Sequence, residues 1–262
     1  EWGYRPMFYI SALNECHPNY VTQLLEKKTL SVKQINEILA RLPKENDKNL
    51  LYDKELCEKL YQELQNNEID DSLVLDKLKK ELNGKKILLL GPGKTIKESK
   101  KEIDSFIISN NPKIFSVNFL NKDFATDYVF MGNAKRYSQF FSRIYSENPN
   151  VKIICTSNIT EAKERIDYSV NYATLVNKSS PTIYDNPLVL LLNLLIRIGI
   201  SEVFIAGFDG YEENIENCYY KEYVPLLYDT STVPYRNKAI KDYLTGVADK
   251  IAVKTLTKTK YL

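Results

Sequence analysis

The stretch that most constrains this chain is "KKILLLGPGKTIKES", residues 85–99. A short unbroken apolar run, "KILLL", stops at Gly-Pro-Gly and gives way to residues that favour a helix. An apolar run without alternation reads as a strand buried on both faces, and parallel sheets bury their strands that way. A buried strand that turns sharply into a helix opens a βαβ unit, so the expected class is α/β.

The rest of the chain repeats the pattern. A helix is expected at about 96 to 109. "KIFSVNF" and "DYVFM" read as strands, "KRYSQFFSRIYSE" as a helix, "VKIICTS" as a strand and "TEAKERI" as a short helix. "PLVLLLNLLIRIG" reads as a buried helix and "SEVFIAGFDG" as a strand. A tyrosine-rich loop follows at 211 to 235, then a helix near 237 to 250 and a last strand near 251 to 256. The expectation is a Rossmann-like, mostly parallel sheet with helices on both faces, spanning residues 84–262. Residues 1–83 differ. "HPNYVTQLLEKK" and "SVKQINEILARLP" carry apolar residues at helical spacing, Ser31 and Gln34 make a capping box, and Pro43 ends that helix. Two further helices are expected at 48 to 65 and 71 to 82, with Asn83-Gly84 ending the second. The first 83 residues are thus expected to form a small all-helical segment.

The glycine turn has to be tested against two nucleotide motifs. A P-loop needs a glycine five residues before Gly93, where Leu88 stands inside the strand, so Gly93-Lys94-Thr95 is no P-loop. The dinucleotide turn needs a third glycine where this chain has Ile96, and an acidic residue at the end of the next strand, where it has Asn118. What remains is a turn in which Gly91 and Gly93 allow close backbone approach, Thr95 caps the helix, and Lys94 stands within reach of a phosphate.

In open α/β sheets ligands bind beyond the carboxyl ends of the strands. Those ends carry Asn118, then Met131-Gly132-Asn133, then Thr156-Ser157-Asn158, then Gly207-Phe208-Asp209. Amides donate and accept, which suits a ribose or a pyrimidine better than a bare phosphate. Asn118, Asn133, Ser157 and Asn158 are therefore candidate nucleotide-binding residues, against the alternative that Asn, Ser and Gly are loop formers. Asp209 is a candidate catalytic base, Tyr211 a second one, and Arg236 a candidate phosphate contact beyond the tyrosine-rich loop.

Charge and cysteine content narrow the classes. The formal net charge is +2, which implies no nucleic-acid partner. The longest apolar stretch, Pro187 to Ile200, is interrupted by Asn193 and Arg197 and is too short for a membrane span. Cys16, Cys57, Cys155 and Cys218 form no C-x-x-C pair, and His17 is the single histidine, so no zinc site is expected. Reduced thiols and a cytoplasmic setting follow from that reading. The chain begins without Met, as a piece of a longer protein would.

Two resemblances extend this reading. "EWGY", "HPNY" and "LLEKKTLSV", within residues 1–42, resemble the segment after the barrel in HMG-CoA-lyase-like aldolases related to 4-hydroxy-2-oxovalerate aldolase. That resemblance implies a preceding TIM barrel with a divalent metal held by an H-x-H motif, which these residues lack. Any carbon–carbon lyase activity would belong to that barrel. Trp2 and Tyr4 would pack on it or on a second copy of the chain. In residues 85–256, "LLLGPGKTIKE", "FSVNF", "DYVFMGN", "ICTSN" and "LIRIGISEVFIAGFDGY" resemble two groups. One is the bacterial sialyltransferases that use CMP-sialic acid; the other is the family related to 6-hydroxymethylpterin pyrophosphokinase. The resemblance implies a nucleotide or CMP-type nucleotide-sugar held by Gly91, Gly93, Asn118, Ser157 and Asn158. Residues 210–262 contain no histidine, so the sialyltransferase base has no counterpart there. Three functions stay open: nucleotide-sugar binding with glycosyl transfer, an accessory part of a lyase, and a ligand-sensing or scaffold domain.

Overall fold

The computed structural model describes residues 67–133, 136–137, 144, 148–159, 166–213 and 232–262. The helices expected before residue 67, most of that at 135–147, most of "TEAKERI" and most of the tyrosine-rich loop lie outside the described residues. From Glu68 onward the described residues fall in one α/β unit.

In chain order the elements are α1 (Ser72–Leu82), β1 (Ile87–Leu90), α2 (Thr95–Glu98), α3 (Lys100–Asn110), β2 (Lys113–Val117), β3 (Tyr128–Met131), β4 (Lys152–Thr156), β5 (Tyr168–Val170), α4 (Pro187–Arg197), β6 (Glu202–Ala206), α5 (Val233–Gly246) and β7 (Ala252–Thr255). The seven strands form one sheet in the order β5-β4-β3-β2-β1-β6-β7. Every pairing is parallel. The order reverses at β1, which places a topological switch point between β1 and β6.

Successive residues along each strand serve opposite faces. Ile87, Leu89, Phe115, Val117, Phe130, Ile154, Val203 and Ile205 join one core with α1, α4 and α5. Leu88, Leu90, Ile114, Val129, Met131, Ile153 and Cys155 join a second core with Ile96 of α2 and Ile103 of α3. The unbroken apolar strands of the sequence thus reflect burial on both faces. Helix α4 buries seven residues because it lies within the first core, and its start is fixed by Asn186, whose Oδ1 accepts from Leu188 N at 3.0 Å. Cys155, at the end of β4, is a buried, reduced cysteine whose thiol is pushed up by burial and then by Asp167.

Four features differ from the sequence reading. The helix expected over 96 to 109 is two helices, because the chain breaks at Ser99 (φ −102°) before α3 starts. Strand β5 was not expected; three residues long, with Ser169 at its centre, it offers too little apolar pattern. Helix α5 begins at Val233, with Pro234 in its first turn, ahead of the expected start. Helix α1 buries Leu78 and Leu82 in the first core of the sheet, so it packs within the α/β unit.

One device recurs at the amino ends of the strands. Asp127 Oδ2 accepts from Ile114 N at 2.9 Å, and Asp167 Oδ2 accepts from Ile153 N at 2.8 Å. Each aspartate precedes a tyrosine that begins the next strand. The Tyr128 hydroxyl donates to Glu81 Oε2 at 2.8 Å and the Tyr168 hydroxyl to Glu81 Oε1 at 2.7 Å. Lys152 Nζ also reaches Glu81 Oε2 at 2.8 Å, so one carboxylate of α1 gathers the starts of β3, β4 and β5. At the other end of α1, the buried Asp71 accepts from the two terminal nitrogens of the Arg197 guanidinium, Nη1 at 3.0 and Nη2 at 3.2 Å, and from Asn171 N at 2.8 Å.

Candidate functional site at the carboxyl edge of the sheet

The glycine turn after β1 lies against the loop after β6, at the switch point. Gly91 N donates to Ala206 O at 2.8 Å and Gly93 N to Gly207 O at 2.7 Å, so the β1–β6 pairing continues past both strands. The two backbones touch without side chains between them. A Cβ built on Gly91 or Gly93 would lie 2.5 Å from Gly207 O, and one on Gly207 would lie 2.5 Å from Gly91 O. The close approach that these glycines permit is therefore used by a neighbouring loop. Ile96, which stands where a dinucleotide turn has its third glycine, is fully buried, and its side chain occupies the space beside Gly207.

Thr95 does not cap α2, contrary to the sequence expectation. Lys94 holds the cap position and makes no side-chain cap bond. Asp209 caps the helix from the neighbouring loop: its carboxylate accepts from Thr95 N at 3.0 Å and from the Thr95 hydroxyl. Burial raises the Asp209 carboxyl above the ordinary aspartate range, against the lowering effect of the Thr95 hydroxyl and amide; Glu98 adds to the rise, and the Lys94 amide opposes it. The first turn of α2, which on sequence grounds suits an anion, thus already holds the chain's own carboxylate. Each Asp209 oxygen accepts one hydrogen bond there, so the residue named as a candidate base also ties its loop to the start of α2.

The amides and hydroxyls at the other strand ends stitch adjacent loops together. Asn118 adopts a left-handed conformation (φ 54°), and its Oδ1 accepts from Gly132 N at 2.9 Å. Asn158 Nδ2 reaches Gly132 O at 3.5 Å, and its Oδ1 accepts from the Thr156 hydroxyl at 2.5 Å. Ser157 Oγ accepts from Tyr172 N at 3.1 Å. Asn133 Oδ1 accepts from Arg136 N at 3.2 Å. Ser157 and Asn158 are buried, whereas Asn118 and Asn133 are half-exposed. Among the described residues no partner takes the two N–H donors of the Asn118 amide.

Tyr211 and Arg236 form a separate pair. The Tyr211 backbone exchanges two hydrogen bonds with the Asn237 side chain, at 2.8 and 2.9 Å, and its hydroxyl accepts from Asn186 Nδ2 at 3.3 Å. The Arg236 guanidinium lies 5.4 Å from the centre of the Tyr211 ring, and its Nε donates to Thr232 Oγ1 at 2.9 Å.

The structure therefore brings together Gly91, Gly93, Lys94, Thr95 and Asp209 as one group. Asn118, Asn158 and Ser157 belong to a second, linked through Gly132 and Tyr172, with Asn133 following Gly132 in sequence. Asn186 and Thr257 were missed by sequence reasoning, and Gly132 and Gly207 were named at the strand ends without a role of their own. The signal for Gly207 was present in "AGFDG", a second glycine-bearing strand end that must lie beside the first if β1 and β6 pair. Among the described residues no group of three or more His, Cys, Asp or Glu side chains is placed to hold a metal ion. No described helix is long and apolar enough to cross a membrane. No family model matches this chain, and no curated protein matches it.

Proposed function

We propose that the α/β unit binds a nucleotide, and within that class a CMP-type nucleotide-sugar, along the carboxyl edge from the switch point toward β3. The observation that carries this reading is Asn118. Its left-handed backbone and its bond to Gly132 N fix the amide at the end of β2, with two N–H donors left for a pyrimidine carbonyl or a ribose hydroxyl. Half-exposed Asn133 extends the polar edge. The ligand's phosphate is placed away from α2, where Asp209 would repel it. Glycosyl transfer needs a base, and the engagement of Asp209 favours binding over turnover at this edge. A ligand-sensing or scaffold role is the second reading, favoured by the same carboxylate closing the glycine turn. The lyase reading rests on residues 1–42, outside the described residues, and makes this unit an accessory to a metal-dependent barrel.

The test is thermal unfolding with CMP, CDP, cytidine and NAD. At a ligand concentration near 100 times Kd, CMP should add about 2.7 kcal/mol to the unfolding free energy. Asn118→Gly accepts the same backbone conformation, removes the amide, and should cut that gain by more than half. A response to NAD alone sinks the nucleotide-sugar reading, and no response to any of the four supports the scaffold. Gly93→Leu cannot serve as the binding variant, because its side chain would collide with Gly207 O and disturb the fold itself.

A further inference from the structure

Past β7 the chain turns back over the loop that follows β6 and engages four consecutive residues. Thr257 Oγ1 accepts from Gly207 N at 3.0 Å, and the Thr259 hydroxyl donates to Phe208 O at 2.6 Å. Lys260 N donates to Asp209 O at 3.0 Å, and the Lys260 side chain fills the space over Gly210, 2.8 Å from where a Cβ would stand. Lys260 Nζ also pairs with Glu212 at 2.8 Å. Thr257 is buried, and Tyr261 is anchored in the first core. The loop gripped in this way grips the next one, since Gly207 O receives Gly93 N and the Asp209 carboxylate receives Thr95. Three segments distant in sequence are thus joined in series by hydrogen bonds.

We propose that residues 257–261 are a latch on the carboxyl-edge site. Engaged, they hold the loop after β6 against the glycine turn and keep Asp209 on Thr95. Released, that loop and the turn part, and the crevice between the ends of β1 and β6 opens to the ligand. The identity of that ligand rests on the nucleotide reading, whereas the latch is testable without any ligand.

The experiment is backbone amide hydrogen exchange on the unliganded protein, wild type against Thr257→Val and Thr259→Val. Loss of one of these bonds should speed exchange at Gly93 N and Thr95 N by about tenfold. Ile153 N, held by Asp167 at the other end of the sheet, should keep its wild-type rate. Thr259→Ser, which keeps the hydroxyl, should restore slow exchange at Gly93 and Thr95. Wild-type rates at both amides in the two valine variants would overturn the latch. So would an equal acceleration at Ile153 in both, since the effect would then be general destabilisation. A CMP titration of the same proteins separates the two proposals: absence of binding in all of them counts against the nucleotide reading and leaves the exchange result to decide the latch.

Discussion

Gly207→Ala is expected to lower the unfolding free energy by about 3–4 kcal/mol, from strained backbone and overpacking together. Gly207 has φ +71°, and a methyl group there would meet Gly91 O and the Ile96 side chain at 2.5 Å. Neither neighbour yields easily, since one is backbone and the other a fully buried side chain. Urea unfolding should show a lower midpoint with an unchanged m-value. Two other glycines supply the scale. Gly199 has φ +83° with nothing within 4 Å of an added Cβ, so alanine there should cost only about 1 kcal/mol. Gly246, in the last turn of α5, has open space and no positive φ, and alanine there should gain about 0.5 kcal/mol. Equal losses at Gly207 and Gly199 would mean that the two loops do not interleave as described.

Glu81→Ala is expected to cost about 2–3 kcal/mol, because Tyr128, Tyr168 and Lys152 lose a common charged acceptor. Burial alone would raise the Glu81 carboxyl. Lys152 and the two tyrosine hydroxyls outweigh it and bring the pKa from 4.5 down to about 2. The folded value lies below the unfolded one, so this stabilisation is fully present above about pH 4.5 and is lost as pH falls toward about 2. Discounted for a side chain that is 25% exposed, the pH-dependent part is about 1–2 kcal/mol. Thermal unfolding of wild type and Glu81→Gln from pH 7 to pH 2 should show a gap that narrows below pH 4.5. A gap that stays constant down to pH 2 would show that the Glu81 charge does not hold these strands.

Most of the sheet was legible because burial on both faces leaves a plain mark. "ILLL" and "YVFM" are unbroken apolar runs, "KIFSV" and "KIICT" carry three apolar residues each, and all four became strands. Strand β5 was missed because three residues are too short to show an apolar pattern. A different signal marked it, the repeat of Asp-Tyr at 127–128 and 167–168, since in both places aspartate ties the preceding strand and tyrosine reaches Glu81. The glycine turn was legible as a close approach of backbone, but what approaches it was not. Asp209 and Thr95 are 114 residues apart, and only the strand order puts them together. The amides at the strand ends were recognised as a set. Their first use is to join loops, which residue type alone does not separate from ligand contact, because both uses need a group that donates and accepts.

The strand order also sets a schedule for the growing chain. Strands β1 to β5 are neighbours in the sequence of synthesis, so that side of the sheet can pair as soon as residue 170 has emerged. The opposite edge of β1, Ile-Leu-Leu-Leu, waits for residues 202–206. Until they arrive, an apolar edge with unpaired backbone groups stands open, a template for any passing strand. That edge closes when β6 docks on it.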